Sequence, residues 1–148
     1  MLSNILEAEL DSIANGIKQS LADKNVNAFG TLSRSIEVVV TENNDFVTGQ
    51  VLAERYIDTV DKGRKPTTNF TGGLLQAIQA WLQLGKYGLD SNNKGLAYAI
   101  TRNITKFGTK TFREGKDRNI VKSNFTEERL QKIIDKLQDE IYFNLKIK

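Results

Sequence analysis

The 148-residue sequence contains no cysteine and no histidine, and it has a single proline and a single tryptophan. Without cysteine the chain has no disulfide, no thiol nucleophile and no cysteine-bound metal. Without histidine it lacks the commonest general base and the commonest zinc ligand. It also lacks a glycine-rich loop of the phosphate-binding kind. The sequence therefore predicts a protein that is not an enzyme and that uses no cofactor or metal.

Long hydrophobic runs are missing as well. No run approaches the roughly 18 apolar residues that a membrane-spanning helix needs. The first residues are amphipathic and acidic, unlike the basic and then apolar start of a signal peptide. We therefore expect synthesis in the cytoplasm and no membrane partner. The net charge of +3 is mild, so it permits contact with DNA without requiring it.

The patterns that are present predict one domain of the α+β class over residues 1–148. Leucine and isoleucine recur every three or four residues in four segments, which indicates helices. Two β-branched stretches flank a turn sequence at Asn43 to Asp45 and predict a hairpin, with a third strand as an option after it. A long N-terminal helix, a small antiparallel sheet and then three helices make an α+β fold. The predicted segments are helix 2–22, sheet 34–60, exposed loop 61–72, helices 73–84 and 93–108, basic loop or arm 109–125, and helix 126–145.

The predicted loop 61–72 is the first candidate site. It holds the only proline, Pro66, and a short basic run. Functional contacts concentrate on loops, and an arginine can pair with a carboxylate through two hydrogen bonds. The alternative is an ordinary solvated turn in which a glycine supplies a positive φ. The residues predicted to bind a partner are Lys62, Gly63, Arg64 and Lys65.

The second candidate site is the stretch 109–125, which has no clean period. Five cations against Glu114 and Asp117 give it a local charge of +3. Exposed lysines and arginines suffice for contact with phosphates, which carries no sequence information. The alternatives are a solvated loop or an arm that clasps a neighbouring subunit. The residues predicted to contact DNA or a subunit are Lys110, Arg113, Lys116, Arg118 and Lys122.

Several segments also match a known family pattern in order. A Gly-x-Leu and Ser-Ile stretch leads into the sheet, a tyrosine-to-Gly-Arg segment follows the hairpin, and an Ile-x-x-Trp helix precedes an Ala-x-x-Ile-x-Arg helix. These segments are Phe29–Ile36, Tyr56–Pro66, Ile78–Leu82 and Ala97–Thr109. Together they resemble the tail-completion and head–tail connector (neck) proteins of tailed bacteriophages, over about residues 1–140 by order of elements. The chain departs from that pattern at Lys65, where a glycine often follows the arginine, and in having one proline in the loop.

The resemblance implies a structural protein of the virion neck or tail, made in the host cytoplasm. Such proteins form a ring, here of 12 or 6 copies if the pattern transfers, around the DNA channel between portal and tail. The implied partners are further copies of the chain, the portal or adjacent connector and tail proteins, and packaged DNA without sequence preference. From the residues alone, a second hypothesis stays open: a small nucleic-acid-binding module that uses the basic stretch 106–122.

Overall fold

The computed structural model describes residues 2–26, 30–70, 72–85, 88–89 and 92–147, with the side chains described up to Phe143. It confirms the α+β class: one long N-terminal helix, a two-stranded antiparallel sheet and further helices. The chain divides into two compact units, one formed by Met1–Ile57 with Asn119–Lys148 and the other by Asp58–Arg118. We call them unit 1 and unit 2.

Unit 1 is built on helix α1, Leu2–Asp23, whose apolar stripe forms most of the core. Its strands, β1 Glu37–Glu42 and β2 Val47–Leu52, pair antiparallel and pack on α1, and helix α7, Glu127–Ile147, packs on α1 as well. The short helix α2, Thr31–Ser35, precedes the hairpin. The buried apolar side chains of this unit are Leu10, Ile13, Ala14, Ile17, Leu21, Leu32, Ile36, Ile120 and Ile133.

The hairpin places alternate side chains on opposite faces, as a pleated strand must. Val38 and Val40 are half-buried, whereas Glu37 and Val39 are exposed. The turn is held by Asn43, whose Oδ1 accepts hydrogen bonds from the backbone of the two residues before β2, at 3.0 and 2.9 Å. One face of the sheet therefore lies on α1 and the other face is open.

Unit 2 consists of four helices: α3 Ile57–Lys62, which begins at the last residue of unit 1, α4 Gly72–Gln83, α5 Lys94–Phe107 and α6 Lys110–Glu114. Helices α4 and α5 pack together around Leu82 and Ala97. The hydroxyls of Thr101 and Thr105 are buried and donate to helix carbonyls one turn earlier, each at 2.8 Å. These bonds satisfy the two hydroxyls inside an otherwise apolar contact.

The four long helices begin and end within two residues of their predicted bounds. The sheet predicted over 34–60 covers only 37–52, because α2 extends to Ser35, and three further expectations are wrong. The third strand considered within 54–60 does not form among the described residues, because helix α3 occupies 57–62; its Asp58 and Lys62 stand four residues apart and form an ion pair of 3.7 Å. The loop predicted from residue 61 begins only after α3, and Asp61 is buried. The basic stretch 109–125 is not an exposed arm, because it contains α6 and the fully buried Ile120. Phe29 and Thr71, which belong to the predicted family segment and to the predicted loop, lie outside the described residues.

Candidate partner-binding surface

The predicted docking segment is fastened to the junction of α5 and α6. The backbone N–H of Arg64 donates to Oγ1 of Thr109 at 2.9 Å, and the N–H of Thr109 donates back to the carbonyl of Arg64 at 3.0 Å. Further along, the N–H of Thr67 donates to the carbonyl of Thr105 at 2.9 Å. Residues 64–67 therefore run beside residues 105–109 as an anchored strap.

Two glycines allow this close approach. Gly63 has φ +86°, and a Cβ built on it would lie 2.5 Å from the backbone nitrogen of Phe112. Gly108 has φ +79°, and a Cβ there would lie 2.7 Å from the carbonyl oxygen of Arg64. A positive φ is costly for any other residue, and both distances are far below a normal contact. The positive φ of Gly63 is the one named in the alternative interpretation of this segment as an ordinary turn.

The strap brings two cation-bearing segments, 64–67 and 105–113, side by side. We call their five cations the basic face: Arg64, Lys65, Lys106, Lys110 and Arg113. All of these side chains are exposed except that of Arg64, which is half-buried. Glu114 supplies the one acidic group in segments 63–67 and 105–114, through an exposed ion pair of 3.7 Å with Lys110. An exposed pair of that kind contributes little free energy. The Nζ of Lys106 also lies 5.0 Å from the ring centroid of Phe107, a cation–π distance.

The remaining predicted residues have other positions. Lys62 ends α3, where it pairs with Asp58. Arg118 is tied to α3, since its N–H donates to the carbonyl of Asp61 at 2.8 Å and its guanidinium donates to the carbonyl of Val60. Lys116 is exposed beyond α6, and Lys122 is exposed in unit 1. The stretch 110–122 is therefore divided between the two units and does not form one continuous site.

The two units carry opposite net charges. Unit 2 has eleven lysines and arginines against five aspartates and glutamates, a net charge of +6. Unit 1 has ten against thirteen, a net charge of −3. The mild total of +3 therefore combines a basic unit with an acidic one. Such an asymmetry gives the surroundings of the two units electrostatic potentials of opposite sign.

The acidity of unit 1 includes the hairpin, which sequence reasoning had not singled out. Residues 35–54, which we call the acidic hairpin, contain four acidic side chains and no lysine or arginine. All four are exposed: Glu37, Glu42, Asp45 and Glu54. Three large apolar side chains stand among them, with 38% of Val39, 60% of Phe46 and 41% of Leu52 exposed. A count of charges in 20-residue windows would have revealed this segment.

Tyr56 follows the acidic hairpin. Burial raises the pKa of its phenol above the usual value of 10.0, the Glu54 carboxylate raises it further, and Arg34 lowers it. The side chain is nevertheless 42% exposed. Nothing in these interactions places a second acid–base group against the phenol for joint chemistry.

Large apolar side chains are exposed on both units. The exposed set among the described residues has thirteen members, against eleven buried apolar residues. On α7 three of them, Leu130, Ile134 and Ile141, form a stripe with the half-buried Leu137 at spacings of four, three and four residues. This spacing keeps them along one flank of the helix. The other exposed members are Val39, Phe46, Leu52, Tyr56, Phe70, Leu89, Tyr98, Phe107, Tyr142 and Phe143.

Within the described part of the chain, no cluster of three acidic side chains is arranged to hold a metal ion. Nor does any helix in that part have the length and apolar character needed to cross a membrane. No protein-family model matches the sequence, and neither the curated proteins nor the solved structures contain a match.

Proposed function

We propose that this chain is a structural protein of the neck of a tailed-phage virion, where copies of it form a ring around the DNA channel and join the portal or head to the tail. The observation that carries the proposal is the apolar surface left uncovered: more large apolar residues are exposed than apolar residues are buried among those described. Scattered exposed apolar residues are normal on a monomer, but a contiguous stripe such as that on α7 marks an interaction site. The resemblance to neck proteins in the order of the matching segments suggests that this interaction takes place in a virion neck.

The anchored strap supports the same proposal. Residues 64–67 are held by two backbone–backbone hydrogen bonds and by one from the backbone N–H of Arg64 to Oγ1 of Thr109. Little conformational entropy therefore remains to be lost when they bind a partner. Arg64 and Lys65 are thus presented in a fixed frame, which suits docking on an acidic surface of a neighbouring subunit or of the portal.

Mass photometry and negative-stain imaging of the purified protein, alone and with the purified portal ring, test this function. We expect rings of 6 or 12 copies, formed at high protein concentration or on the portal. The double substitution Ile134→Gln and Ile141→Gln should weaken assembly without unfolding the protein, because both side chains are exposed. Asp139→Gln lies on the opposite side of α7 and serves as the control. A protein that stays monomeric with the portal and is missing from purified virions would contradict the proposal.

A nucleic-acid-binding module is the second candidate function, favoured by the net charge of +6 on unit 2. A salt titration of binding to duplex DNA separates the two. Neutralisation of several phosphates by the basic face predicts a log–log slope of about −0.9 per phosphate contacted. Weak binding with a flat salt dependence would rule out the nucleic-acid-binding function and leave the structural function as the proposal.

A further inference from the structure

The acidic hairpin and the basic face are complementary surfaces on opposite units of one chain. The hairpin has four exposed carboxylates and no cation over residues 35–54. The basic face has five cations, and Glu114 is the one acidic residue in the segments 63–67 and 105–114 that form it. Complementary patches that belong to the same sequence are satisfied when copies of that sequence meet head to tail.

Each surface also combines its charge with exposed apolar groups. On the hairpin, Val39 and Leu52 accompany the carboxylates, and Phe46 stands at the turn. At the basic face, Phe107 is 50% exposed beside Lys106. DNA backbone would pair with the cations and leave the aromatic ring without an apolar partner, whereas a protein surface of the hairpin's composition pairs with both.

The geometry of the hairpin suits this role. Glu37 stands directly opposite Leu52 in the register, and Val39 stands opposite Gln50, so the open face carries one carboxylate among polar and apolar groups. Glu42 pairs with Val47 in the register of the other face, but it is exposed at the end of β1, beside the turn that holds Asp45. The other face is occupied by α1, because Gly49 lies so close to Leu6 and Leu10 that a Cβ there would be 2.4 Å from the nearest atom. The open face is therefore held against α1 as a rigid platform about 20 Å long, at about 3.3 Å per residue.

We propose that the acidic hairpin of one copy docks on the basic face of a second copy, in a head-to-tail contact that repeats around the oligomer. This inference rests on the self-assembly proposed above and assigns the surfaces that carry it. A head-to-tail contact uses two different patches, and it closes into a ring when the rotation between neighbouring copies allows. Like charges placed across such a contact oppose it strongly.

Charge reversal tests the contact. Glu37→Lys with Glu42→Lys brings the net charge of the hairpin from −4 to 0 and sets two lysines against the cations of the basic face. Lys65→Glu with Lys106→Glu brings the basic face, counted with Glu114, from +4 to 0 and sets two glutamates against the carboxylates of the hairpin. We expect each double variant to lose self-association by about 100-fold, since like-charge contacts cost several kcal/mol. An equimolar mixture of the two should assemble again, because unlike charges then meet at every contact. The readouts are mass photometry and light scattering, on the protein alone and on the portal.

Two control variants reverse charges outside the two proposed surfaces. Glu7→Lys with Asp11→Lys reverses the same number of exposed carboxylates on α1 of the same unit. Lys94→Glu reverses one exposed lysine on α5, twelve residues and about 18 Å along the helix from Lys106. Both controls should assemble like the unchanged protein. Failure of the mixture to assemble, or normal assembly of either double variant, overturns the proposal.

Carbodiimide cross-linking of a mixture of ¹⁴N- and ¹⁵N-labelled protein identifies the contact directly. We expect mixed-isotope links between carboxylates of residues 37–45 and Lys65, Lys106 or Lys110. Oligomers whose mixed-isotope links lie elsewhere overturn this contact and leave the proposed function standing. A protein that forms no oligomer even with the portal overturns both. Loss of DNA binding without loss of assembly in the Lys65→Glu and Lys106→Glu variant assigns the basic face to DNA and overturns the contact.

Discussion

Replacing Gly16 with alanine should destabilise the protein, although the same change strengthens most helices. Gly16 is an interior residue of α1, Leu2–Asp23, where alanine would improve helix propensity by about 1 kcal/mol. A Cβ at this position would, however, lie 2.1 Å from Oδ1 and 3.1 Å from Cγ of Asn124. An ordinary carbon–oxygen contact is about 3.3 Å or longer, so the amide must move by about 1 Å.

Asn124 cannot move freely, because its side chain is buried and hydrogen-bonded. Its Nδ2 donates to the carbonyl of Ile120 at 2.8 Å and to Oγ of Ser20 at 3.2 Å. Breaking these bonds costs about 1–3 kcal/mol for the buried groups, and overpacking adds a similar amount. After the gain in helix propensity is subtracted, Gly16→Ala should lower the free energy of unfolding by about 2 kcal/mol. For a chain of this size, that loss lowers Tm by about 4 to 8 °C.

Urea and thermal unfolding, followed by far-UV circular dichroism, measure this loss. Gly73→Ala is the matched control: Gly73 lies in α4 with open space around the position of a Cβ, so this change should raise stability by up to about 1 kcal/mol. In an Asn124→Ala background the obstacle is gone, and Gly16→Ala should then stabilise by about 1 kcal/mol. If Gly16→Ala has the same sign in both backgrounds, the steric account is refuted.

Three further outcomes are expected from single substitutions. Gly108→Ala forces a side chain into the carbonyl of Arg64 at a positive φ, so it should cost about 2–4 kcal/mol and expose the strap to trypsin after Arg64, as limited proteolysis would detect. Asn93→Ala removes the cap whose Oδ1 accepts the N–H of Leu96 at 3.0 Å, so unfolding should become easier by about 1 kcal/mol in urea titrations, with Asn93→Ser close to the original. Because the pKa of Tyr56 is raised in the folded protein, the unfolded chain loses its phenolic proton at lower pH. The contribution of Tyr56 to the free energy of unfolding is therefore fully present below pH 10 and is lost as the pH rises through the pKa of the folded state. In urea titrations Tyr56→Phe should show a smaller loss of stability at alkaline pH.

The elements that could be predicted from the sequence are those long enough for the period of their apolar residues to be detected. Helix α1 spans 22 residues and α7 spans 21, so several repeats of the apolar spacing define each of them. Helices α3 and α6 have six and five residues, less than two turns, and in so short a segment a period of 3.6 cannot be told from chance. The same limit explains the strand expected before Asp61 and the arm expected around α6.

The basic face could not be predicted, because it depends on contacts between distant parts of the chain. Arg64 and Thr109 are 45 residues apart, and of the four groups in the two bonds that join them only Oγ1 of Thr109 belongs to a side chain. The two glycines of the contact were visible in the sequence, but their pairing was not. The contact of Gly108 with the carbonyl of Arg64 brings the segments that hold the cations of the basic face together.

The opposite net charges of the two units could not be predicted from the sequence either, because they too depend on which distant segments fold together. Unit 1 is assembled from both ends of the chain, so no single stretch of sequence has its composition. The total of +3 argued for weak electrostatics, yet the field that a partner meets comes from groups within about one Debye length, roughly 8–10 Å in physiological salt. The local composition therefore describes the field beside the acidic hairpin or beside the basic face better than the net charge of the chain does. Assembly through these surfaces should therefore weaken as salt is added, even though a protein of charge +3 gives no such expectation.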